Sequence, residues 1–376
     1  MIDPEHLFHV LGENGMVRFT GVPDSLLKDL CAYITDNVPA GAHVIAANEG
    51  NAIGLAAGWY LGTGAPAMVY MQNSGLGNAI NPLASLSDPE VYGIPMLLVI
   101  GWRGEPGKKD EPQHVKQGRI TPALLEAMEI PFKVLGPEAD PAATVASLCA
   151  EMRVRSGPVA LIVREGTFSP YKLKAAPVRS FQMDREGAIV KVAERLRCED
   201  VVVSTTGKAS RELCECRLRS GKGSECDFLT VGSMGHASSI AMGLAGARPE
   251  RKVLCFDGDG AFIMHMGALA VIGQQAPENL VHLVFNNGSH DSVGGQPTAG
   301  LGMDMPAIAR ACGYRSAVSV STDEELEKAV DLALREAGPS FIEVKVNGGA
   351  RKDLGRPRTG PRENREALMA NLGRGD

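Results

Sequence analysis

The tetrad Asp257-Gly258-Asp259-Gly260 ends a short apolar run, Val253-Leu254-Cys255-Phe256. A carboxylate at the end of a strand and between two glycines sits where backbone can approach a phosphate closely. The 25 residues 261–285 separate it from Asn286-Asn287-Gly288-Ser289, which again follows an apolar run, His282–Phe285. One helix fits in that interval, so the two strand ends can lie side by side. Asp259 and Asn287 then offer hard oxygens at neighbouring positions. Mg²⁺ takes octahedral oxygen coordination and is commonly completed by phosphates. A carboxylate, an amide oxygen, a backbone carbonyl, two phosphate oxygens and a water fill such a shell. Gly-Asp-Gly alone occurs in ordinary tight turns; its pairing with Asn-Asn in this strand context is what points to a metal and a diphosphate. Thr205, Thr206 and Gly207, just after Val201–Val203, can add hydroxyl and backbone donors.

A second set lies in the first half. Asn48 precedes a helical stretch, Ala52–Leu61, and can cap it, which puts Glu49 in the first turn. Read from periodicity alone, Glu49 is either an exposed capping carboxylate or an acid of a site. Arg103, Lys108, Lys109, His114, Lys116 and Arg119 crowd one loop region after Met96–Ile100. Loops after parallel strands line ligand crevices, and Arg and Lys supply charge-assisted donors to a strong anion. Two or three of the six are expected to reach a substrate, with Arg103 and Lys116 the candidates. Asp24-Ser25 and Asn73-Ser74 can line the same pocket, and His114 or His290 can shuttle a proton. Other anion motifs fail on detail. Gly207-Lys208-Ala209 has Val202 and Ala209 where a Walker loop needs Gly and Ser or Thr, and Gly75-Leu76-Gly77 lacks the third glycine of a dinucleotide fingerprint. Cys214, Cys216 and Cys226 lack the spacing of a zinc site.

The elements that must position these residues read as α/β. Val99-Ile100, Ala160–Val163, Val201–Val203, Val253–Phe256, His282–Phe285 and Phe341–Val344 are buried-strand candidates. Helical candidates Ser25–Thr35, Ala52–Leu61, Arg185–Leu196, His236–Gly246, Gly267–Gln275 and Asp323–Ala337 alternate with them. The alternation predicts mostly parallel sheets with helices on both faces. The chain has 376 residues, 44% of them apolar, more than one core usually holds. The pattern runs twice, giving a domain over 1–164, a linker over 165–180, a second domain over 181–347 and an Arg/Gly/Pro-rich extension over 348–376. That extension wraps the surface, caps a cleft or is a disordered tail. A net charge of −6 with no basic stripe disfavours nucleic acid. No apolar run spans a bilayer and no signal sequence opens the chain, so a cytoplasmic protein with scattered thiols is expected.

The spacing from Gly258-Asp259-Gly260-Ala261 to Asn286-Asn287 resembles the signature of the thiamine-diphosphate-dependent enzymes. The resemblance implies two thiamine-diphosphate-binding domains, thiamine diphosphate held through Mg²⁺, and Asp259, Asn287 and the Ser289 carbonyl as metal ligands. Gly232-Ser233-Met234-Gly235-His236 matches the segment whose bulky side chain props the cofactor into its bent form, with Met234 as the prop. Glu49 matches the glutamate that touches the aminopyrimidine ring. Such a group protonates the ring nitrogen, and the resulting imino form removes the thiazolium proton. Burial would raise the pKa of Glu49 and the helix N-terminus would oppose this. In this family the glutamate and the metal anchor meet across a subunit interface, which implies at least a homodimer.

The usual decarboxylase of the family has a third, middle domain, for which there is no room here. Over nearly its whole length the chain resembles the phosphonopyruvate decarboxylases, through Asn48–Ala52, Gln72–Asn78, Gly101–Pro106, Asp110–Gly118 and Asp291–Pro297, with sulfopyruvate decarboxylases as near relatives. The implied reaction is non-oxidative: 3-phosphonopyruvate loses CO2, the carbanion is protonated, and phosphonoacetaldehyde departs, feeding phosphonate and antibiotic biosynthesis. Three alternatives remain: sulfopyruvate or another 2-oxo acid as substrate, a catalytically silent subunit of the same fold, and a nucleotide-binding oxidoreductase. Retention of Glu49 together with Asp259 and Asn287 opposes the second; the missing glycine opposes the third.

Overall fold

The structure, a computed structural model, describes residues 1–174 and 180–373. The chain divides into two compact units: 1–177 with 290–297, and 178–289 with 298–376. Part of the expected linker, 175–179, and the last three residues of the expected extension lie outside the described residues. The preceding stretch is tied into the first unit. Phe168 is buried, Ile2 pairs with it, and the Tyr171 N–H donates to Asp29.

The first unit holds strands β1 (Phe19–Gly21), β2 (His43–Ile45), β3 (Ala67–Gln72), β4 (Met96–Gly101), β5 (Phe132–Leu135) and β6 (Val159–Val163). They form one parallel sheet in the order β2-β1-β3-β4-β6-β5. The second unit holds β7 (Val201–Ser204), β8 (Asp227–Leu229), β9 (Val253–Gly258), β10 (Leu280–Asn286), β11 (Ser316–Val320) and β12 (Ser340–Lys345). Its parallel order is β11-β12-β10-β9-β7-β8. Read from the other edge, this is the same topology, so the two halves repeat one architecture without a visible sequence repeat.

Each sheet is covered on both faces, and the alternation of side chains shows it. In β4, Leu97 and Val99 enter one core cluster while Met96, Leu98 and Ile100 enter the other. In the second sheet Leu254 and Phe256 face one cluster, Val253 and Cys255 the opposite one. Strands buried on two faces are apolar at every position, which is why they read as continuous runs.

In both sheets the strand order reverses between β1 and β3 and between β7 and β9. Parallel sheets bind ligands beyond the carboxyl ends of strands at such a point. β1 runs into Asp24-Ser25 and β3 into Asn73–Gly75; β7 runs into Thr205-Thr206 and β9 into Asp259. A cavity of about 900 Å³ lined by Lys252, Asn279 and Arg335 opens at the opposite, amino-terminal edge of the second sheet, away from these residues.

The described part of the extension packs on the second unit. Arg351 pairs with Glu186 and Glu215, and Gly355 N–H donates to Glu215. The helix Pro361–Asn371 then lies on the edge strand β8. Asn364 accepts from Leu229 N–H and donates to the Asp227 carbonyl, satisfying backbone groups that an open sheet edge would expose.

Candidate active site

Glu49 opens the helix Glu49–Thr63, with Asn48 as its cap: the Asn48 Oδ1 accepts from Asn51 N–H at 2.9 Å. The expected helix began three residues later, because cap and first turn carry no apolar period. The carboxyl of Glu49 does not face water as a simple capping group would; the residue is 5% exposed. Asn78 Nδ2 donates to its Oε2 at 2.7 Å. Gly75 lies flat against it: a Cβ there would sit 2.6 Å from Glu49 Cγ and Cδ. Burial pushes the acid above its ordinary range, and the Asn78 and backbone hydrogen bonds oppose this only in part. Desolvation therefore outweighs these hydrogen bonds, and Glu49 is suited to hold a proton.

The end of β1 carries Asp24, fully buried. Its Oδ2 accepts from Leu26 N–H at 2.8 Å and Leu27 N–H at 3.3 Å, while Oδ1 has no partner. That turn delays the next helix to Lys28–Asn37, later than the expected start at Ser25. Burial raises the Asp24 carboxyl despite its backbone donors and the nearby Arg103.

Arg103 follows β4 and is not free to offer its whole fork. Its Nε donates to Asp110 Oδ2 at 2.8 Å, a second very short contact joins the same carboxylate, and a terminal nitrogen donates to Ser25 Oγ at 2.8 Å. Asp110 also accepts from Gly104 N–H, Glu111 N–H and His114 Nδ1 at 2.7–2.9 Å. Those donors hold its carboxyl far below the usual range although burial opposes them. Asp110 is the hub of this cluster, and the cation-weighted reading of the sequence passed over it. Asn73, expected to line the pocket, has its amide committed to the Arg103 backbone and Thr121. Ser74 is exposed and accepts from Gln72. Lys108, Lys109, Lys116 and Arg119 are exposed, so of the six crowded cations only Arg103 and His114 are drawn into the cluster. His290 lies in the segment grouped with the first unit; burial pushes its imidazole down to about 4. It is neutral at pH 7 and cannot donate a proton as an imidazolium.

In the second unit Asp259 begins a short helix and is buried. Thr298 Oγ1 donates to its Oδ2. Gly300 permits this closure: a Cβ there would lie 2.8 Å from Asp259 Oδ2 and 2.7 Å from Asn286 Oδ1. Asn286 donates to Glu343 at 2.7 Å and accepts from Gly288 N–H, which anchors the turn. Asn287 follows, its Oδ1 accepting from Ser289 N–H at 2.9 Å. Phe285 pairs with Gly258, so Asp259 and Asn287 leave adjacent strands within one residue of the same level. Thr206 Oγ1 accepts from Gly232 N–H at 3.0 Å. The turn beyond has Gly232, Ser233 and Gly235 at positive φ, and His236 Nδ1 lies 3.2 Å from the Met234 carbonyl, so the turn presents Met234 half-buried. Neither Thr298 nor Gly300 carries a spacing signal; Asn78 lay in the quoted Gln72–Asn78 segment.

The donor set fits Mg²⁺ and a diphosphate. A buried carboxylate, an amide oxygen and a backbone carbonyl at adjacent strand ends are hard oxygen ligands, and Gly300 and Gly258 leave the approach clear of Cβ atoms. Glu49, its carboxyl raised by burial, fits a nitrogen-heterocycle partner.

Residues 205–344 match the C-terminal TPP-binding domain of the thiamine pyrophosphate enzymes and residues 4–125 the N-terminal one. The chain belongs to the thiamine-pyrophosphate-dependent enzymes. It is 37% identical over 365 residues to a phosphonopyruvate decarboxylase of Streptomyces viridochromogenes, covering 93% of this chain and 89% of that one. A phosphonopyruvate decarboxylase of Streptomyces hygroscopicus is 36% identical, covering 96% and 92%. A sulfopyruvate decarboxylase of Methanosarcina acetivorans is 30% identical, covering 93% and 92%. Within the family, then, this chain is a thiamine-diphosphate-dependent decarboxylase.

Proposed function

We propose that the chain decarboxylates 3-phosphonopyruvate to phosphonoacetaldehyde and CO2 with thiamine diphosphate and Mg²⁺, in phosphonate biosynthesis. The observation that carries the substrate is the near-full-length similarity to two phosphonopyruvate decarboxylases, stronger than that to the sulfopyruvate enzyme. The cofactor, when bound, supplies a thiazolium carbon nucleophile that adds to the keto carbon and accepts the electrons released with CO2.

The residues take these roles. Asp259, Asn287 and the Ser289 carbonyl hold Mg²⁺, with Gly258, Gly260 and Ala261 lining the diphosphate. Thr205, Thr206 and Ser233 donate toward that group, and Met234 shapes the cofactor. Glu49 keeps its proton for the cofactor ring nitrogen. Arg103, with Ser25, binds the second anion of the substrate. His114, its Nδ1 fixed by Asp110, delivers a proton from its other nitrogen, and Asp24 faces the reacting group. His290 serves in neutral form as a hydrogen-bond donor.

The reading includes a homodimer, with active sites at subunit interfaces. Support comes from the helix that Glu49 begins. Gly50, Gly54, Gly58 and Gly62 recur at every fourth position, and a Cβ at the last three would meet nothing within 4 Å. Interior glycine costs a helix roughly 1 kcal/mol each, so an exposed ladder of them suits close approach of a second backbone. No described helix is long and apolar enough to cross a membrane. Eight cysteines without a disulfide suit the cytoplasm.

The test is kcat/KM for phosphonopyruvate, sulfopyruvate and pyruvate side by side. Phosphonopyruvate should lead by at least tenfold. Equal or higher turnover of sulfopyruvate would move the chain to the sulfonate branch.

A further inference from the structure

In the core of the second unit, on the face of the sheet away from β7's helix Lys208–Arg219, lies a polar group that the decarboxylation chemistry does not use. Cys255 on β9 and His282 on β10 are partners in register, and Asp257, two residues beyond Cys255, shares their face. All three are at most 1% exposed. One ligand atom from each, the thiol sulfur, a carboxylate oxygen and an imidazole nitrogen, lies within 4.8 Å of the other two.

Two of these atoms have no hydrogen-bond partner: Asp257 Oδ2 and His282 Nε2. They face one another at 3.5 Å. That is too long for a sound hydrogen bond. It is close to the edge of a zinc tetrahedron, in which nitrogen and oxygen at about 2.0–2.1 Å from the metal stand roughly 3.3–3.4 Å apart. The other atoms of both side chains are engaged in the way that orients metal ligands. Tyr314 Oη lies 3.2 Å from His282 Nδ1; in the tautomer with its proton on Nδ1, the ring donates to the phenol and Nε2 keeps its lone pair for the cation. Gly258 N–H donates to Asp257 Oδ1 at 3.0 Å, which leaves Oδ2 turned toward the imidazole. The rings of Phe262 and Phe341 pack on His282.

We propose that Cys255, Asp257 and His282 form a binding site for a divalent borderline-soft cation of the zinc type, distinct from the oxygen-only Mg²⁺ ligands Asp259 and Asn287. One thiolate, one imidazole and one carboxylate are a ligand set that zinc takes and Mg²⁺ does not. The thiol proton leaves to solvent as the cation enters. The cation ties β9 to β10 directly beneath the strand ends that carry Asp259 and Asn287, so its role is to brace the floor of the cofactor site. The assignment does not depend on which oxo acid is the substrate.

The test uses the holoenzyme with saturating thiamine diphosphate and Mg²⁺, incubated with Zn²⁺ or Co²⁺, passed over a chelating resin and assayed for metal. One zinc per chain should remain in the wild type and in Asp259→Asn, and be lost in Cys255→Ser and His282→Asn. The cobalt form should show a near-ultraviolet thiolate-to-cobalt band that Cys255→Ser abolishes. Zinc-edge X-ray absorption on the wild type, which needs no variant to fold, should show one sulfur among nitrogen and oxygen neighbours. Absence of retained zinc in the wild type, retention undiminished by Cys255→Ser in a folded protein, or a sulfur-free edge spectrum would each overturn the proposal.

Discussion

At the scale of single residues, environment decides between roles that the sequence leaves open. Glu49 reads equally well as a water-facing cap or as a site acid. Its burial and the close approach of Gly75 raise the carboxyl's pKa, and the Asn78 amide opposes this only in part, which favours the site-acid reading. Glu49→Gln keeps the shape and can accept the same hydrogen bond, so the fold should hold while kcat falls roughly 100- to 10,000-fold. Steady-state kinetics beside a thermal melt measure both, and full activity would contradict the assigned role. Arg103 shows the opposite limit. A crowd of cations is visible in the sequence, but their destinations are not: four point to water, and Arg103 is held by an acid seven residues on. Asp110→Asn removes the charge that fixes both Arg103 and His114. KM for the doubly anionic substrate should rise about tenfold or more as Arg103 loses its orientation. An unchanged KM would make Asp110 an ordinary loop residue.

At the scale of elements, strands of full length and two-sided burial were legible and short ones were not. Ala160–Val163 and His282–Phe285 are unbroken apolar runs. β1, β2 and β8 have three residues each, too few to show any period, and β3, with Ala, Met and Gln among its six, lacks the β-branched signature. Those inconspicuous strands include β1 and β3, which carry Asp24 and Asn73 to the switch point. The residues of the site could thus be named from motif while the strands that carry them could not. Thr298 and Gly300 were missed for a related reason: they act on Asp259 through a chain reversal that no local pattern encodes. The helix Glu49–Thr63 makes the sharpest element-level prediction. Gly58→Leu favours the helix by roughly 0.8–1 kcal/mol on propensity alone, so the subunit should fold. It fills the space that a partner backbone would use. Sedimentation should then find monomers, and decarboxylase activity should fall with them; an intact, fully active dimer would contradict a helix-mediated interface.

At the scale of the molecule, the repeated sheet order explains why composition and alternation gave the fold class correctly, while the transfer of 290–297 to the first unit stayed hidden. Half-buried neutral imidazoles give the whole chain an acid limit. His43 and His290 ionise near their ordinary 6.5 when unfolded and only at about 4 when folded, because burial disfavours the cation. Between those values the unfolded chain binds more protons, so stability falls as pH drops from 6.5 toward 4. The loss is on the order of 3 kcal/mol for the pair once partial screening is allowed for. Urea melts across that interval should show the slope, and His43→Gln should flatten it; a melt independent of pH there would contradict it. The central claim is cofactor-dependent loss of CO2 from a doubly anionic oxo acid. Its most direct measurement is CO2 release from 3-phosphonopyruvate by the chelator-stripped protein, with thiamine diphosphate and Mg²⁺ added singly and together. The account predicts release, with phosphonoacetaldehyde as co-product, only when both are present. Release without the cofactor, or none with both present, would contradict it.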